Sequence, residues 1–128
     1  MNPAALVSVA LGGALGSLAR YAAGIYAGRW LGTAFPWGTL VINISGSFLI
    51  GAFAEAFALR WDTAQATRVF LVVGICGGYT TFSTFSLDVV TLLGRGEIVA
   101  AAAYAAASVV LSVLALYAAL HVMRFVLL

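Results

Sequence analysis

The sequence predicts an all-α membrane protein with four transmembrane helices in a single domain. Hydrophobic residues make up 64% of the 128 positions and charged residues only 8%, whereas soluble domains average about 25% charged residues. Four uncharged stretches, residues 1–19, 30–54, 69–87 and 98–120, separate the charged positions. Because about 20 apolar residues cross a bilayer core, each stretch is long enough to span. We predict helices near residues 3–28, 36–59, 66–93 and 97–125.

The first helix begins at the N-terminus with "MNPAALVSVALGGALGSLAR". A secretory signal peptide carries basic residues ahead of a short apolar run. No basic residue precedes this run, which is also longer than such a segment requires. We therefore expect a retained transmembrane helix.

The second helix, "GTLVINISGSFLIGAF", repeats a small or polar residue at every fourth position. Four residues turn a helix by about 400°, so Thr39, Asn43, Ser47 and Gly51 form one slowly drifting stripe. Such stripes are typical of close helix packing in membranes, which is the favoured interpretation for Ser47 and Gly51. The Asn43 amide costs more free energy to bury, so both a packing and a functional role remain open for Asn43.

The third helix contains the unusual stretch "GICGGYTTFSTF", residues 74–85. Each glycine lowers helix stability by about 1 kcal/mol relative to alanine, and the two threonines are β-branched. We therefore predict a helix break near Gly77–Thr80, whose freed carbonyls lie near the membrane midplane and are suited to a small cation. Beyond the break, Phe82 and Phe85 share one helix face, and their spacing alone favours core packing.

The fourth helix, "YAAASVVLSVLALY", places Tyr104, Ser108 and Ser112 four residues apart on one face. These hydroxyls span about 12 Å along the helix. An isolated membrane serine usually bonds to the carbonyl four residues earlier, which is a structural role. Three hydroxyls in register also offer neutral donors to a species that moves along this face.

The arginines divide evenly between the two ends of the predicted bundle. Three of them, Arg60, Arg68 and Arg124, fall on the side of the termini, and Arg20, Arg29 and Arg95 fall toward the other. The positive-inside rule therefore favours neither orientation. Four short helices also leave internal polar groups in need of cover. Together these features predict an antiparallel homodimer in which the chain inserts in both orientations.

The motifs "GALGSLARY", "PWGTLVINISGSFLIG", "GICGGYTTFSTFS" and "YAAASVVLS" resemble those of the Fluc (CrcB) fluoride channels in order and spacing. The resemblance implies a dual-topology antiparallel dimer with two fluoride pores, in a bacterial inner membrane, that exports cytoplasmic fluoride passively. It also implies a structural sodium ion at the dimer centre, held by the backbone carbonyls of Gly77 and Thr80.

The same resemblance assigns the remaining roles residue by residue. It implies fluoride-pore side chains on helices 2, 3 and 4 and a vestibule arginine on helix 1: Asn43, Phe82, Phe85, Tyr104, Ser108, Ser112 and Arg20. One departure is Asp88, where the family pattern more often has glutamate, so no role is transferred to Asp88.

Three other classes fit the sequence less well. A proton-coupled exporter of cationic drugs needs a carboxylate deep in the membrane, whereas Glu55 and Asp88 lie toward helix ends. A purely structural subunit does not explain the cluster of hydroxyls and phenylalanines beside a helix break. An enzyme is disfavoured because His121 has no nucleophile spaced to meet it, and the single cysteine, Cys76, and single histidine form no metal cluster.

Overall fold

The computed structural model describes residues 1–128, and the chain is helical throughout. The helices are α1 (Pro3–Leu31), α2 (Trp37–Leu59), α3 (Gln65–Val69), α4 (Gly77–Tyr79), α5 (Phe82–Gly94) and α6 (Ile98–Leu127). A π-helical stretch, Phe70–Cys76, joins α3 to α4 and is called the π segment here. Together α3 to α5 form a third span, Gln65–Gly94. Four helices are long and apolar enough to cross a membrane, which confirms the prediction of an all-α protein with four such helices.

Local sequence fixes both ends of α1. The Asn2 side chain accepts a hydrogen bond from the backbone N–H of Ala4 at 3.0 Å, and Pro3 occupies the first turn, where its missing N–H costs nothing. The helix ends at Gly32, whose φ of 80° is accessible mainly to glycine. A short turn then returns the chain to α2.

The closest helix contact joins α1 to the π segment through glycine. A Cβ atom placed on Gly12 would lie 2.5 Å from the Phe70 carbonyl oxygen, and one on Gly74 would lie 2.8 Å from the Cα of Gly12. Next along the contact, a Cβ on Gly78 would lie 2.7 Å from the Gly13 carbonyl oxygen. Small residues permit such close backbone approach between membrane helices. Gly74 and Gly78 therefore serve packing against α1.

The third span leaves helical geometry at two threonines. Gly77 still has helical angles, φ −64° and ψ −38°, whereas Thr80 has φ −82° and ψ 157° and Thr81 has φ −154° and ψ 120°. The departure thus falls after the glycines, which are held in helical form by their contact with α1. Thr81 then caps α5, because its hydroxyl accepts a hydrogen bond from the Thr84 N–H at 3.2 Å.

Asn43 of α2 supplies the hydrogen bonds that Thr81 lacks within the third span. Its Nδ2 donates to the Thr81 carbonyl at 3.0 Å, and its Oδ1 accepts from the Thr81 N–H at 2.9 Å. Backbone groups inside a membrane must find internal partners, because unpaired ones cost several kcal/mol. The side chain therefore stabilises the extended residue by replacing both of its helical hydrogen bonds.

The bundle buries little of its own surface. A small core forms around Leu40, Leu92, Ala101 and Tyr104, and α2 packs along α6, where Gly51 meets the backbone of Leu116. Only 15 of the 128 residues are buried. Most apolar side chains therefore face outward, toward lipid or another protein.

Replacement of Gly12 by alanine is expected to destabilise the protein. The added methyl group collides with backbone atoms of the π segment, and overpacking of this kind costs about 1–3 kcal/mol. Gly13→Ala is the matched control, since its Cβ would meet nothing within 4 Å. Thermal unfolding in detergent should show a lower midpoint for Gly12→Ala only. Equal midpoints for the two variants would contradict the proposed contact.

Replacement of Asn43 by alanine is expected to lower the free energy of unfolding by about 1–3 kcal/mol for each Thr81 group left unpaired. Ser47→Ala, one turn along the same helix, removes a hydroxyl that has no such bond and should cost less than about 0.5 kcal/mol. Chemical unfolding of the purified variants measures both changes. Comparable losses would show that the hydrogen bonds to Thr81 contribute nothing special.

Candidate functional site

A groove of about 600 Å³ runs between α2, the interruption of the third span and α6. It is open along one side and is lined by small polar groups, two aromatic rings and a few aliphatic side chains. Most of the side chains and backbone positions selected from the sequence meet here, namely Asn43, Ser47, Gly77, Thr80, Phe82, Phe85, Ser108 and Ser112. Three spans of the chain therefore converge on one concave, partly polar surface.

The hydroxyl groups of Ser108 and Ser112 are buried and have no hydrogen-bond partner. Other serines of the chain follow the usual membrane pattern: Ser45 donates to the Val41 carbonyl at 2.7 Å and Ser86 to the Phe82 carbonyl at 3.0 Å. The two groove serines do not bond back in this way. Because buried hydroxyls normally find a partner, their free donors point to a ligand or a partner chain in the groove.

Phe82 and Phe85 stand side by side at the groove, with ring centroids 5.3 Å apart and planes inclined by 46°. The Phe82 side chain is 77% exposed within the single chain. The core packing suggested by spacing alone therefore does not describe Phe82. A phenyl ring carries partial positive charge at its edge, so such rings can face an anion in their plane.

Tyr104 belongs to the core behind the groove and does not line it. Its side chain is completely buried, its ring packs 5.3 Å from that of Phe85, and its hydroxyl donates to Asp88 Oδ2 at 2.9 Å. The ladder predicted on α6 is thus divided. Ser108 and Ser112 have free hydroxyls, while that of Tyr104 is engaged with a carboxylate.

Arg20 lines a second groove, of about 360 Å³, on the other side of the interruption. Its Nε donates to the Gly78 carbonyl at 3.1 Å. Thr81 lines both grooves, so the extended residues separate the two. Sequence analysis did not select Thr81, although its place beside Thr80 and its capping position before "FSTF" could have indicated it.

The interruption also leaves a backbone acceptor at the first groove. Thr80 donates its N–H and its hydroxyl to the Cys76 carbonyl, but no backbone N–H donates to the Thr80 carbonyl. Side chains offer no alternative ligand set, since no group of three His, Cys, Asp or Glu residues meets anywhere in the chain. A cation at this place would have to be held by carbonyl oxygens.

Both acidic residues within the spans are paired. Glu55 is almost fully buried and forms an ion pair with Arg124 across α2 and α6. Asp88 accepts the Tyr104 hydrogen bond described above. Neither carboxylate lies on the groove that holds the free hydroxyls. This arrangement does not suit proton exchange for a cationic substrate, which needs an accessible carboxylate.

Comparison with known proteins gives one consistent result. The family model described as CrcB-like protein, Camphor Resistance (CrcB), matches residues 7–120. The fluoride-specific ion channel FluC of Nitrobacter winogradskyi is 63% identical over 121 residues, which cover 94% of this chain and 96% of that protein. FluC 1 of Nitrobacter hamburgensis is 64% identical over 119 residues, 93% and 94% of the two chains. FluC of Rhodospirillum centenum is 53% identical over 119 residues, with the same coverage. These relatives are named as channels and not as enzymes, and the chain belongs to the CrcB family.

Proposed function

We propose that this protein is a fluoride-selective passive ion channel that exports cytoplasmic fluoride across the bacterial inner membrane. The observation that carries the proposal is the pair of unpartnered, buried hydroxyls of Ser108 and Ser112 in a groove shared with Phe82 and Phe85. The names of the relatives identify the ion to be tested first. No fixed positive charge lines this groove.

The lining suits a small, strongly hydrated anion. A pore must replace the water shell of the ion and yet release the ion again. Neutral hydroxyl donors supply close contacts without the deep trap that a buried lysine or arginine would create. The edges of the Phe82 and Phe85 rings add partial positive charge. Chloride is larger, so close donors placed for fluoride would fit it poorly.

The proposed assembly is an antiparallel homodimer with two pores. Within one chain the groove is open along a side and Phe82 is largely exposed, so a second copy is needed to close the path. The even division of arginines between the two ends supports insertion in both orientations. Each pore would then combine residues of the two subunits.

The remaining roles follow from position. Asn43 has one Nδ2 hydrogen left after its bonds to Thr81 and would present it to the ion. Arg20, in the second groove, would attract anions at the vestibule. Tyr104 would support the Phe85 ring from behind, and the end of the polar track on α6 lies at its hydroxyl.

A structural sodium ion at the dimer centre fits the residues present. Gly77 and Thr80 both line the groove, and the Thr80 carbonyl accepts no backbone hydrogen bond. Hard cations take oxygen ligands, and carbonyl groups serve at broken membrane helices. Two copies of the chain would supply two such carbonyls each. The ion would hold the two interruptions together and takes no part in moving fluoride.

Fluoride flux through the reconstituted protein is the direct test. Liposomes that hold the purified chain and are loaded with both halides should release fluoride and retain chloride, as measured with ion-selective electrodes. Liposomes without protein are the control. Release of both ions at equal rates, or of neither, would reject the channel assignment.

Variants of the groove then test the proposed lining. Removal of one donor to the ion by Ser108→Ala or Ser112→Ala should slow fluoride release about tenfold, since a hydrogen bond to a charged group is worth about 1.5–3 kcal/mol. Phe82→Ile and Phe85→Ile should also impair release while the dimer stays intact by size-exclusion chromatography. Ser86→Ala is the matched control, because its hydroxyl already bonds to the Phe82 carbonyl. Wild-type flux in all four groove variants would remove the groove from the path.

Sodium removal tests the proposed cation. Transfer of the purified protein into N-methylglucamine chloride should lower its thermal unfolding midpoint, and added sodium should restore the midpoint with a saturating dependence, because the ion binds only the folded state. Potassium at the same ionic strength is the control. If both cations restored the midpoint equally, a specific sodium site would be excluded.

A further inference from the structure

Arg20 makes a contact that a vestibule charge does not require. Its Nε–H donates to the carbonyl of Gly78, a residue 58 positions along the chain. In an uninterrupted helix that carbonyl would accept the N–H of residue 82, four residues later. The extended backbone of Thr80 and Thr81 prevents this pairing. Arg20 therefore replaces a helical hydrogen bond that the interruption removes.

The interruption is thus held from two sides by side chains of two different helices. Arg20 of α1 bonds the last turn before it, at Gly78, and Asn43 of α2 bonds the extended residue itself, at Thr81. A charged donor to a carbonyl is about twice as strong as a neutral one. Between the two anchor points lies Thr80, whose carbonyl is left free of backbone donors.

We infer that Arg20 is a positioning residue, which together with Asn43 clamps the interrupted backbone and so sets the direction of the Thr80 carbonyl and of the Phe82 and Phe85 rings. The inference rests on the proposed function, because those groups are the proposed pore and cation ligands. It adds to Arg20 a role that belongs to the Nε–H alone. The terminal nitrogens remain free toward the second groove.

The chemistry of the side chain provides a matched pair of variants. In Arg20→Gln the amide nitrogen occupies the same place along the side chain as Nε, so the variant loses the charge and keeps a donor. In Arg20→Met a methyl group stands at that place, so both charge and donor are lost. Any difference between the two variants therefore reports the hydrogen bond rather than the charge.

Amide hydrogen exchange of the dimer in detergent measures the clamp without any ion flux. We expect peptides that cover residues 79–85 to exchange at least about tenfold faster in Arg20→Met than in the wild type, and within about threefold of the wild type in Arg20→Gln. Peptides of α6 should be unchanged in both. Arg29→Met, on the same helix and without a recorded side-chain hydrogen bond, is the control and should leave residues 79–85 unchanged.

Each outcome decides the inference. Faster exchange in the methionine variant alone supports the clamp, as does a methionine variant that fails to fold beside a glutamine variant that folds. Equal exchange in the two variants, whether both are fast or both resemble the wild type, overturns it, as does failure of both to fold. Since exchange needs no fluoride, a chain that fails the flux test and keeps this difference would lose the channel assignment and retain the clamp.

Discussion

The double hydrogen bond between Asn43 and Thr81 is the interaction on which the rest of the structure depends. An extended residue inside a membrane helix exposes backbone groups that lipid cannot satisfy. Asn43 pairs with both of these groups, so the third span can be interrupted at the depth where α2 and α6 present their polar side chains. The interruption in turn divides two grooves and begins α5 with Thr81 as its cap.

Glycine and threonine divide the work of the third span. Contact between glycines lets α1 approach the π segment at backbone distance, which fixes the first half of the span. The threonines then make the departure from helical geometry. A rigid first half and a capped second half hold the Phe82 and Phe85 rings beside the free hydroxyls of α6. Preorganised donors of this kind need little rearrangement when an ion arrives.

Composition and the spacing of charges predicted the four helices, because membrane thickness leaves few alternatives for such an apolar chain. Periodicity also placed Ser108 and Ser112 on one face. It could not show that their hydroxyls lack the usual backbone partner, because that depends on the positions of α2 and α5. Nor could spacing separate the glycines, which pack, from Thr80 and Thr81, which leave the helix. The burial of Tyr104 depends on contacts with Phe35 and Phe85, which lie far from it in sequence.

The π segment also has a consequence for rotational phase. A π-helical turn holds one residue more than the matching α-helical turns, and such bulges are thought to arise by single insertions. Each residue rotates an α-helix by about 100°. Loss of one residue between Phe70 and Cys76 would therefore turn everything that follows by roughly that angle relative to α3. The wide turn acts as a phase setting: it aims the threonines at α2 while the helix before it remains free to pack by its own pattern.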